Sequence, residues 1–148
     1  MKDFFKQLFE YNQGVNQKLG SILISNSDKT LDRAIKLYSH ILNAHKIWNN
    51  RIDPGDTPPG VWQIHPITDF LQIDKTNYEH TLMIIEKFDL SYTIHYPQIR
   101  GRPFNKTVGE ILFNVINHST YHKGQLATEF RQIGIEPLLT DYIFYEKA

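Results

Sequence analysis

The stretch Asn117-His118-Ser119-Thr120-Tyr121-His122-Lys123-Gly124-Gln125 carries two histidines four residues apart. It lies within a longer segment whose inward-facing positions recur at steps of three and four residues: Ile111, Val115, His118, His122, Gln125 and Glu129. This spacing is typical of an amphipathic helix, in which residues i and i+4 lie one above the other on the same face. Two imidazoles in this arrangement can bind one metal ion together. The stretch therefore predicts a helix that offers a pair of metal ligands.

Both ends of this helix are marked in the sequence. Thr107-Val108-Gly109-Glu110 has the Thr-x-x-Glu pattern of a capping box and comes immediately before an apolar run. Gly134 suits the position just after the last helical turn, where a left-handed backbone conformation is common. We therefore expect the helix to extend from a cap at Thr107 to about Ile133.

A third histidine lies on the apolar stripe of another predicted helix, which we expect to begin at Ser27-Asp28 and to end near Ile52. That stripe steps by three and four residues through Leu37, His40, Ala44, Ile47 and Arg51. His45 lies five residues after His40, roughly 140° around the helix, so the two cannot readily share a metal ion. The candidate metal ligands are therefore His40, His118 and His122.

Three neutral imidazoles suit Zn²⁺, Ni²⁺ or a similar divalent ion, and zinc with three protein ligands keeps a fourth position for water or substrate. The alternative is that each histidine is hydrogen-bonded separately to a backbone or carboxylate group. A conventional zincin protease is disfavoured, because Ser119 occupies the position of the glutamate in a His-Glu-x-x-His motif. His65, His80 and His95 have no ligand-like spacing and are predicted to lie on the surface or in loops.

The N-terminal segment predicts a further helix over residues 3–19, with Gly20 as the residue just after its end. Gly14 lies inside this helix, where it indicates either a close approach by another part of the chain or simple sequence drift. Asn12 and Asn16 share one face of the helix, which we interpret as a solvated edge.

The second helix is followed by a turn-rich connection over residues 53–65, long enough for helices 2 and 3 to be parallel. After helix 3, residues 91–104 are expected to form a short β-hairpin or an extended loop. Arg100 and Arg102 are interpreted as solvated edge charges in preference to an anion site. The aromatic tail, residues 136–145, should pack back as a short helix or cap. Four long helices predict an all-α four-helix bundle with this short ornament between helices 3 and 4.

The composition fits one domain over residues 1–148. Sixteen basic and sixteen acidic residues cancel, which gives no net attraction to nucleic acid or an anionic membrane. The chain has no cysteine, so a metal site must use histidine, carboxylate and water, and thiol chemistry needs an external thiol. No signal-peptide region or membrane-length apolar run is evident. We therefore expect a cytoplasmic protein without nucleic-acid or membrane partners.

The sequence resembles the DinB/YfiT-like metalloenzyme family over nearly its whole length. The motifs that carry the resemblance are Tyr11-Asn12-x3-Asn16, Leu37-x2-His40-Ile41-Leu42-x-Ala44-x3-Trp48-x2-Arg51, the stretch 117–125, Gly134-Ile135-Glu136-Pro137 and Thr140-Asp141-Tyr142. Two positions depart from the family's pattern, since Gly14 replaces a tryptophan and His45 stands where a glutamate is common.

The resemblance implies an up-down-down-up four-helix bundle, a divalent metal ion held by His40, His118 and His122, and a homodimer. Members of the family include S-transferases that use bacillithiol, mycothiol or glutathione, together with isomerases and hydrolases. The expected function is therefore that of a metal-dependent transferase or hydrolase acting on a small molecule, with Trp48 and Tyr121 shaping the pocket. The alternative is a non-catalytic stress-response or ligand-binding bundle, and the sequence offers no obvious general base.

Overall fold

The computed structural model describes residues 1–29 and 31–147, which are mostly helical. The long helices are α1 (Lys2–Ser25), α2 (Asp32–Ile52), α3 (Phe70–Lys87) and α4 (Val108–Gln132). Strands β1 (Thr93–Ile99) and β2 (Arg102–Thr107) form an antiparallel pair between α3 and α4. A short 3-10 segment at Ile67–Asp69 precedes α3, and a second one at Tyr142–Phe144 belongs to the tail. The four predicted helices and the predicted hairpin are all present.

The helices pack around an interior that is apolar towards both ends and polar in the middle. One apolar cluster contains Leu19, Leu23, Leu37, Phe70 and Phe130. The other contains Phe5, Phe9, Ile84, Ile85 and Ile111. Between the two clusters, each helix contributes buried polar side chains: Asn12 and Asn16 from α1, His45 and Asn49 from α2, Asp74 and Asn77 from α3, and Ser119 and Lys123 from α4. Buried polar groups need partners, so this layer constrains how the helices align.

The ends of α4 are as predicted. The Thr107 hydroxyl accepts a hydrogen bond from the Glu110 amide (3.1 Å), and the Glu110 carboxylate accepts one from the Thr107 amide (2.9 Å), which completes the capping box. Gly134 has a φ of +79°, and the Ile135 amide donates to the Phe130 carbonyl at 2.8 Å, as in a Schellman motif. Both signals are local, so they hold whatever packs against the helix.

The predicted end of the first helix is wrong, because α1 continues through Gly20 to Ser25. Gly20 is buried where α1 meets its neighbours, and a β-carbon there would lie 2.8 Å from Leu71 Cδ2 and 3.0 Å from the Tyr38 hydroxyl. The glycine therefore permits close helix packing instead of ending the helix. The second helix begins at Asp32, later than predicted, behind the buried Leu31.

The hairpin packs across the C-terminal half of α2. Its turn residues Arg100 and Gly101 have φ angles of +50° and +77°, the sign that a two-residue type I′ turn requires at both positions. The Tyr96 hydroxyl donates to the Arg51 carbonyl at 2.8 Å, and Phe104 packs against Trp48 with ring centroids 5.8 Å apart. These contacts place the two strands of the hairpin beside the C-terminal half of α2.

The tail packs back on α1, as predicted. The Tyr11 hydroxyl donates to the Thr140 carbonyl at 2.6 Å, and the Tyr145 ring lies against Gly14, where a β-carbon would meet its hydroxyl at 2.7 Å. The close approach expected at Gly14 is therefore made by the tail. None of the helices in the described part of the chain is both long and apolar enough to cross a membrane.

Candidate metal centre

The packing of α2 against α4 brings the three candidate histidines together. One nitrogen from each of His40, His118 and His122 lies within 4.8 Å of the others. His118 Nε2 is 3.1 Å from His40 Nε2 and 3.1 Å from His122 Nε2. Two ligands bound to one zinc ion at its usual bond length are about 3.0–3.4 Å apart, so these separations suit a shared ion. An ion pair between Arg33, at the start of α2, and Glu129, near the end of α4, also joins these two helices (2.8 Å).

Hydrogen bonds behind the rings decide which nitrogens are free to bind. His40 Nδ1 lies 2.9 Å from the Val61 carbonyl oxygen, which only accepts, so Nδ1 carries the proton and Nε2 keeps its lone pair. His122 Nδ1 lies 2.7 Å from Gln125 Oε1, and with the amide oxygen of Gln125 facing the ring, Nδ1 carries the proton there as well. Both Nε2 lone pairs therefore meet His118 Nε2, and one N–H on His118 can satisfy only one of them. A cation would satisfy all three, so these residues fit a metal ion.

The surroundings of His118 and His40 keep these two imidazoles neutral. The pKa of His118 is lowered to about 4, mainly by burial and to a smaller extent by the neighbouring His122 and His40 rings. Burial also lowers the pKa of His40, against the opposing effect of its hydrogen bond to Val61. Neutral imidazole is the form that binds metals, so protons compete weakly with an ion at these two residues.

Aromatic side chains cover the cluster from two sides. The Trp62 ring stacks on His40 with centroids 3.9 Å apart and planes 10° from parallel, and Lys36 Nζ lies 5.3 Å from the Trp62 ring centroid. The Tyr121 ring centroid is 5.0 Å from that of His122, and Tyr121 is 65% exposed. Tyr121 therefore lies at the rim of the site, where it can contact a ligand from solvent.

A cavity of about 610 Å³ opens from the cluster along α2. His40 and His118 line it at one end, Trp48 lines its wall as the sequence suggested, and Arg51 and Arg100 line it further away. A volume of this size can hold a small organic molecule. Two of the three clustered histidines, His40 and His118, therefore face a space that a substrate can enter.

The sequence model described as "DinB family" matches residues 1–148. The chain belongs to the DinB family. It is similar to "Protein DinB" of Bacillus subtilis (strain 168), with 24% identity over 163 aligned residues that cover 98% of this chain and 95% of the relative.

The other histidines of this DinB-family chain lie outside the cluster. His65 Nε2 is 2.6 Å from Asn43 Oδ1, His80 Nε2 is 3.4 Å from an Asp53 carboxylate oxygen, and His95 is exposed on the hairpin. His45 is buried and hydrogen-bonded to Thr81. Within residues 1–29 and 31–147, no second group of three metal-ligating side chains is present.

The interpretation of Asn12 and Asn16 as a solvated edge of the DinB-family protein is wrong, since they are only 2% and 1% exposed. Asn12 accepts a hydrogen bond from the buried Lys123 ammonium (2.8 Å), and Asn16 donates to Asp74 (2.7 Å). Each asparagine directly follows a core residue of α1, Tyr11 or Val15, which widens the buried face. That adjacency was a signal available in the sequence.

Two residues of the site were missed because they come from connections. Trp62 belongs to the segment between α2 and α3, and Arg100 to the hairpin turn. Neither segment has a periodicity that indicates where its side chains point. The sequence interpretation makes Arg100 a solvated charge, and although it is exposed, it lines the same cavity as His40 and His118.

Proposed function

We propose that this protein is a divalent-metal-dependent enzyme acting on a small molecule, with His40, His118 and His122 as metal ligands. The observation that carries the proposal is the convergence of two Nε2 lone pairs, fixed by Val61 and Gln125, on the third imidazole. Three imidazole ligands favour zinc or nickel. When bound, such an ion supplies Lewis acidity and lowers the pKa of a coordinated water or thiol.

Within this proposal, the reaction is a thiol-dependent S-transfer or a hydrolysis. Three protein ligands leave room for a further ligand, and the cavity supplies access to it. The chain has no cysteine, so a thiol would come from a low-molecular-weight cosubstrate. The Gln125 side chain would hold the His122 ring, and the Val61 backbone carbonyl would hold the His40 ring. The Trp62 ring, stacked on His40, would shield it from water.

A second candidate function is non-catalytic ligand binding. It is favoured by the lining of the cavity, which contains no carboxylate among the described residues and so offers no evident general base. A metal ion bound without turnover would support this candidate over the enzyme.

We also infer an up-down-down-up arrangement of the helices. The Gln17 side chain contacts the start of α3 at Leu71, whereas Lys6 pairs with Glu86 near its end, which supports an antiparallel α1 and α3. Asn77 contacts the middle of α2 at Leu42. The salt bridge between Lys87 and the residue after α2, Asp53, supports a parallel α2 and α3.

A homodimer remains part of the proposal. Phe113 and Tyr121 of α4 are 57% and 65% exposed, so this helix presents large apolar side chains that a second copy of the chain could cover. Light scattering on the purified protein would test it, with a monomer mass as the contradicting result.

Metal content is the decisive measurement. Protein purified without an affinity tag should contain about one zinc or nickel ion per chain by mass spectrometry, since three ligands define one site. The variants His40→Ala and His122→Ala should lose the ion, because each removes a converging nitrogen. His95→Ala is the matched control and should keep it, since His95 is exposed on the hairpin.

Circular dichroism of the same preparations would verify that the variants remain helical. The proposal is wrong if no ion binds after reconstitution with several divalent metals, or if His95→Ala loses metal to the same extent. Metal-loaded protein would then be assayed with thiols and electrophilic substrates, and with hydrolysable esters and amides. Turnover that disappears in His40→Ala would support the enzyme over the ligand-binding candidate.

A further inference from the structure

The wall of the cavity away from the histidines is positively charged. Arg51 of α2 and Arg100 of the hairpin turn both line the cavity, and the amide side chains of Gln98 and Asn114 also belong to its lining. No acidic side chain borders the cavity in the described part of the chain. A cavity lined by one sign of charge attracts a ligand of the opposite sign.

Arg51 is held in place without a carboxylate partner. Its guanidinium carbon lies 4.2 Å from the centroid of the Trp48 ring, and the residue is partly buried. Neither Arg51 nor Arg100 forms an ion pair within residues 1–29 and 31–147, although Arg33 does. Guanidinium groups removed from water are normally paired with an anion.

The two arginines also affect each other. Burial has the largest effect on the pKa of Arg51 and lowers it; Tyr96 opposes this, and the positive charge of Arg100 has a smaller effect that again lowers the pKa. Like charges brought together in a partly dry space repel each other unless an anion lies between them. The planar guanidinium offers paired N–H donors that match a carboxylate or a phosphate.

The position of Arg51 limits the size of the ligand. His40, Ala44, Ile47 and Arg51 follow one line along α2. The Arg51 guanidinium stacks over the ring of Trp48. Trp48 follows His40 by eight residues, so the two positions are about 12 Å apart along the axis of α2. A molecule that reaches both ends of the cavity is therefore about the size of a small metabolite.

We propose that Arg51 and Arg100 form an anion-binding subsite, so that the substrate or cosubstrate carries a carboxylate or phosphate group at the end remote from the histidines. This inference deepens the proposed function and rests on it for the reactive end of the molecule. The anion-binding step depends only on the two arginines and the cavity, so it can be tested without metal.

The test is an NMR titration of the metal-free protein at constant ionic strength, with succinate and with inorganic phosphate as separate probes. The Arg51 and Arg100 Nε–H signals and the Trp48 indole N–H signal should shift and saturate with at least one probe. Succinamide, the neutral counterpart of succinate, should produce no such shift. Tighter binding of succinate than of phosphate would indicate a carboxylate, and the reverse would indicate a phosphate.

Variants identify the residues responsible. Arg51→Gln should weaken binding about tenfold or more, the effect of losing a hydrogen bond to a charged group, and Arg100→Gln should weaken it in the same direction. Arg102→Gln is the matched control, because Arg102 is an exposed arginine of the same hairpin that does not line the cavity. Its affinity should stay that of the unmodified protein.

The inference is overturned if neither probe gives a saturable shift, or if Arg102→Gln weakens binding as much as Arg51→Gln. Should Arg51→Gln fail to fold, Arg100→Gln and Arg51→Lys carry the same test, since lysine keeps the charge and lacks the paired donors. The His40→Ala variant should still bind the anion although it loses the metal. Loss of metal binding without loss of anion binding would therefore contradict the proposed function alone.

Discussion

Histidines of this protein differ in chemistry according to the group that lies behind each ring. His40 has a backbone carbonyl behind Nδ1 and turns Nε2 towards the cavity, where an ion can reach it. His45, five residues later, is enclosed, with Nε2 hydrogen-bonded to Thr81 at 2.7 Å and Nδ1 buried without a partner. The first arrangement suits ligand binding, and the second suits a permanently neutral side chain.

We expect His45 to make the folded state sensitive to acid. Burial lowers its pKa to about 3, and the positive charges of Lys123 and His80 act in the same direction. In the unfolded chain its pKa is about 6.5. Between about pH 6.5 and pH 3, the unfolded state therefore binds more protons than the folded state does. The contribution of His45 to stability is present above this window. It is lost as the pH falls through the window, by up to about 1.4 kcal/mol per pH unit.

Urea unfolding between about pH 7 and pH 5, with a chelator present, measures this effect. Replacement of His45 by glutamine keeps a donor for Thr81 and should flatten the decline in unfolding free energy relative to the unmodified protein. The exposed His95→Gln variant should leave the decline unchanged. Equal slopes for His45→Gln and the unmodified protein would contradict the prediction. The comparison between variants is needed because burial raises the pKa of Asp74 to about 6, which acts in the opposite direction.

At the scale of helices, three glycines with the same local preference occupy different surroundings. A β-carbon at Gly124 in α4 would meet nothing within 4 Å. A β-carbon at Gly14 would meet the end of the Tyr145 side chain, which belongs to the tail. At Gly20 it would lie 3.0 Å from the Tyr38 hydroxyl, which is held by a 2.8 Å hydrogen bond to the Asn16 carbonyl. The neighbours therefore decide what an added methyl group does.

We expect Gly124→Ala to stabilise the protein by about 1 kcal/mol, the helix preference of alanine over glycine. Gly20→Ala should destabilise it, because overpacking a core costs about 1–3 kcal/mol and Tyr38 cannot shift without losing its hydrogen bond. Urea unfolding of both variants would measure the two free energies. If both substitutions changed the free energy of unfolding by similar amounts of the same sign, packing against Tyr38 would not explain the effect of alanine at position 20.

These glycines also explain which features could be predicted from the sequence. The bounds of α4 were predictable because the capping box and Gly134 act within a single turn of helix. Gly20 was misinterpreted as a helix end because its role depends on Leu71 and Tyr38, which are distant in sequence. A capping motif can be interpreted from the residues within it, whereas the role of a glycine at a helix contact can be interpreted only when the residues that it meets are known.

The same distinction applies to the site. The histidines were predictable because the helical repeat places His118 and His122 on one face and His40 on the inward stripe of α2. Trp62 and Arg100 were not, because the paths of the connection and the hairpin depend on tertiary contacts such as the bond from Tyr96 to the Arg51 carbonyl. The part of the site that helices supply was therefore accessible from the sequence, and the part that loops supply was not.

At the scale of the whole molecule, a bound ion would join two helices through the polar middle of the interior. Its ligands come from α2 and α4, which are far apart in sequence, so the unfolded chain cannot present them together. An ion that binds only the folded state stabilises it by about 2.7 kcal/mol at a free concentration of 100 times its dissociation constant. For a chain of this length, that corresponds to a rise in the unfolding temperature of roughly 5–10 °C.

We therefore expect Zn²⁺ to raise the unfolding temperature of metal-free protein in differential scanning calorimetry, whereas Mg²⁺, which prefers oxygen ligands, should have no effect. His118→Ala should fold without metal, because the His118 side chain is only half-buried, and it should lose the response to Zn²⁺. His95→Ala should respond like the unmodified protein, because its ring lies on the exposed hairpin. An equal rise in unfolding temperature for all three proteins would assign the stabilisation to zinc bound elsewhere on the surface. A His118→Ala chain that does not fold at all would show that the interior requires the histidine cluster for its structure.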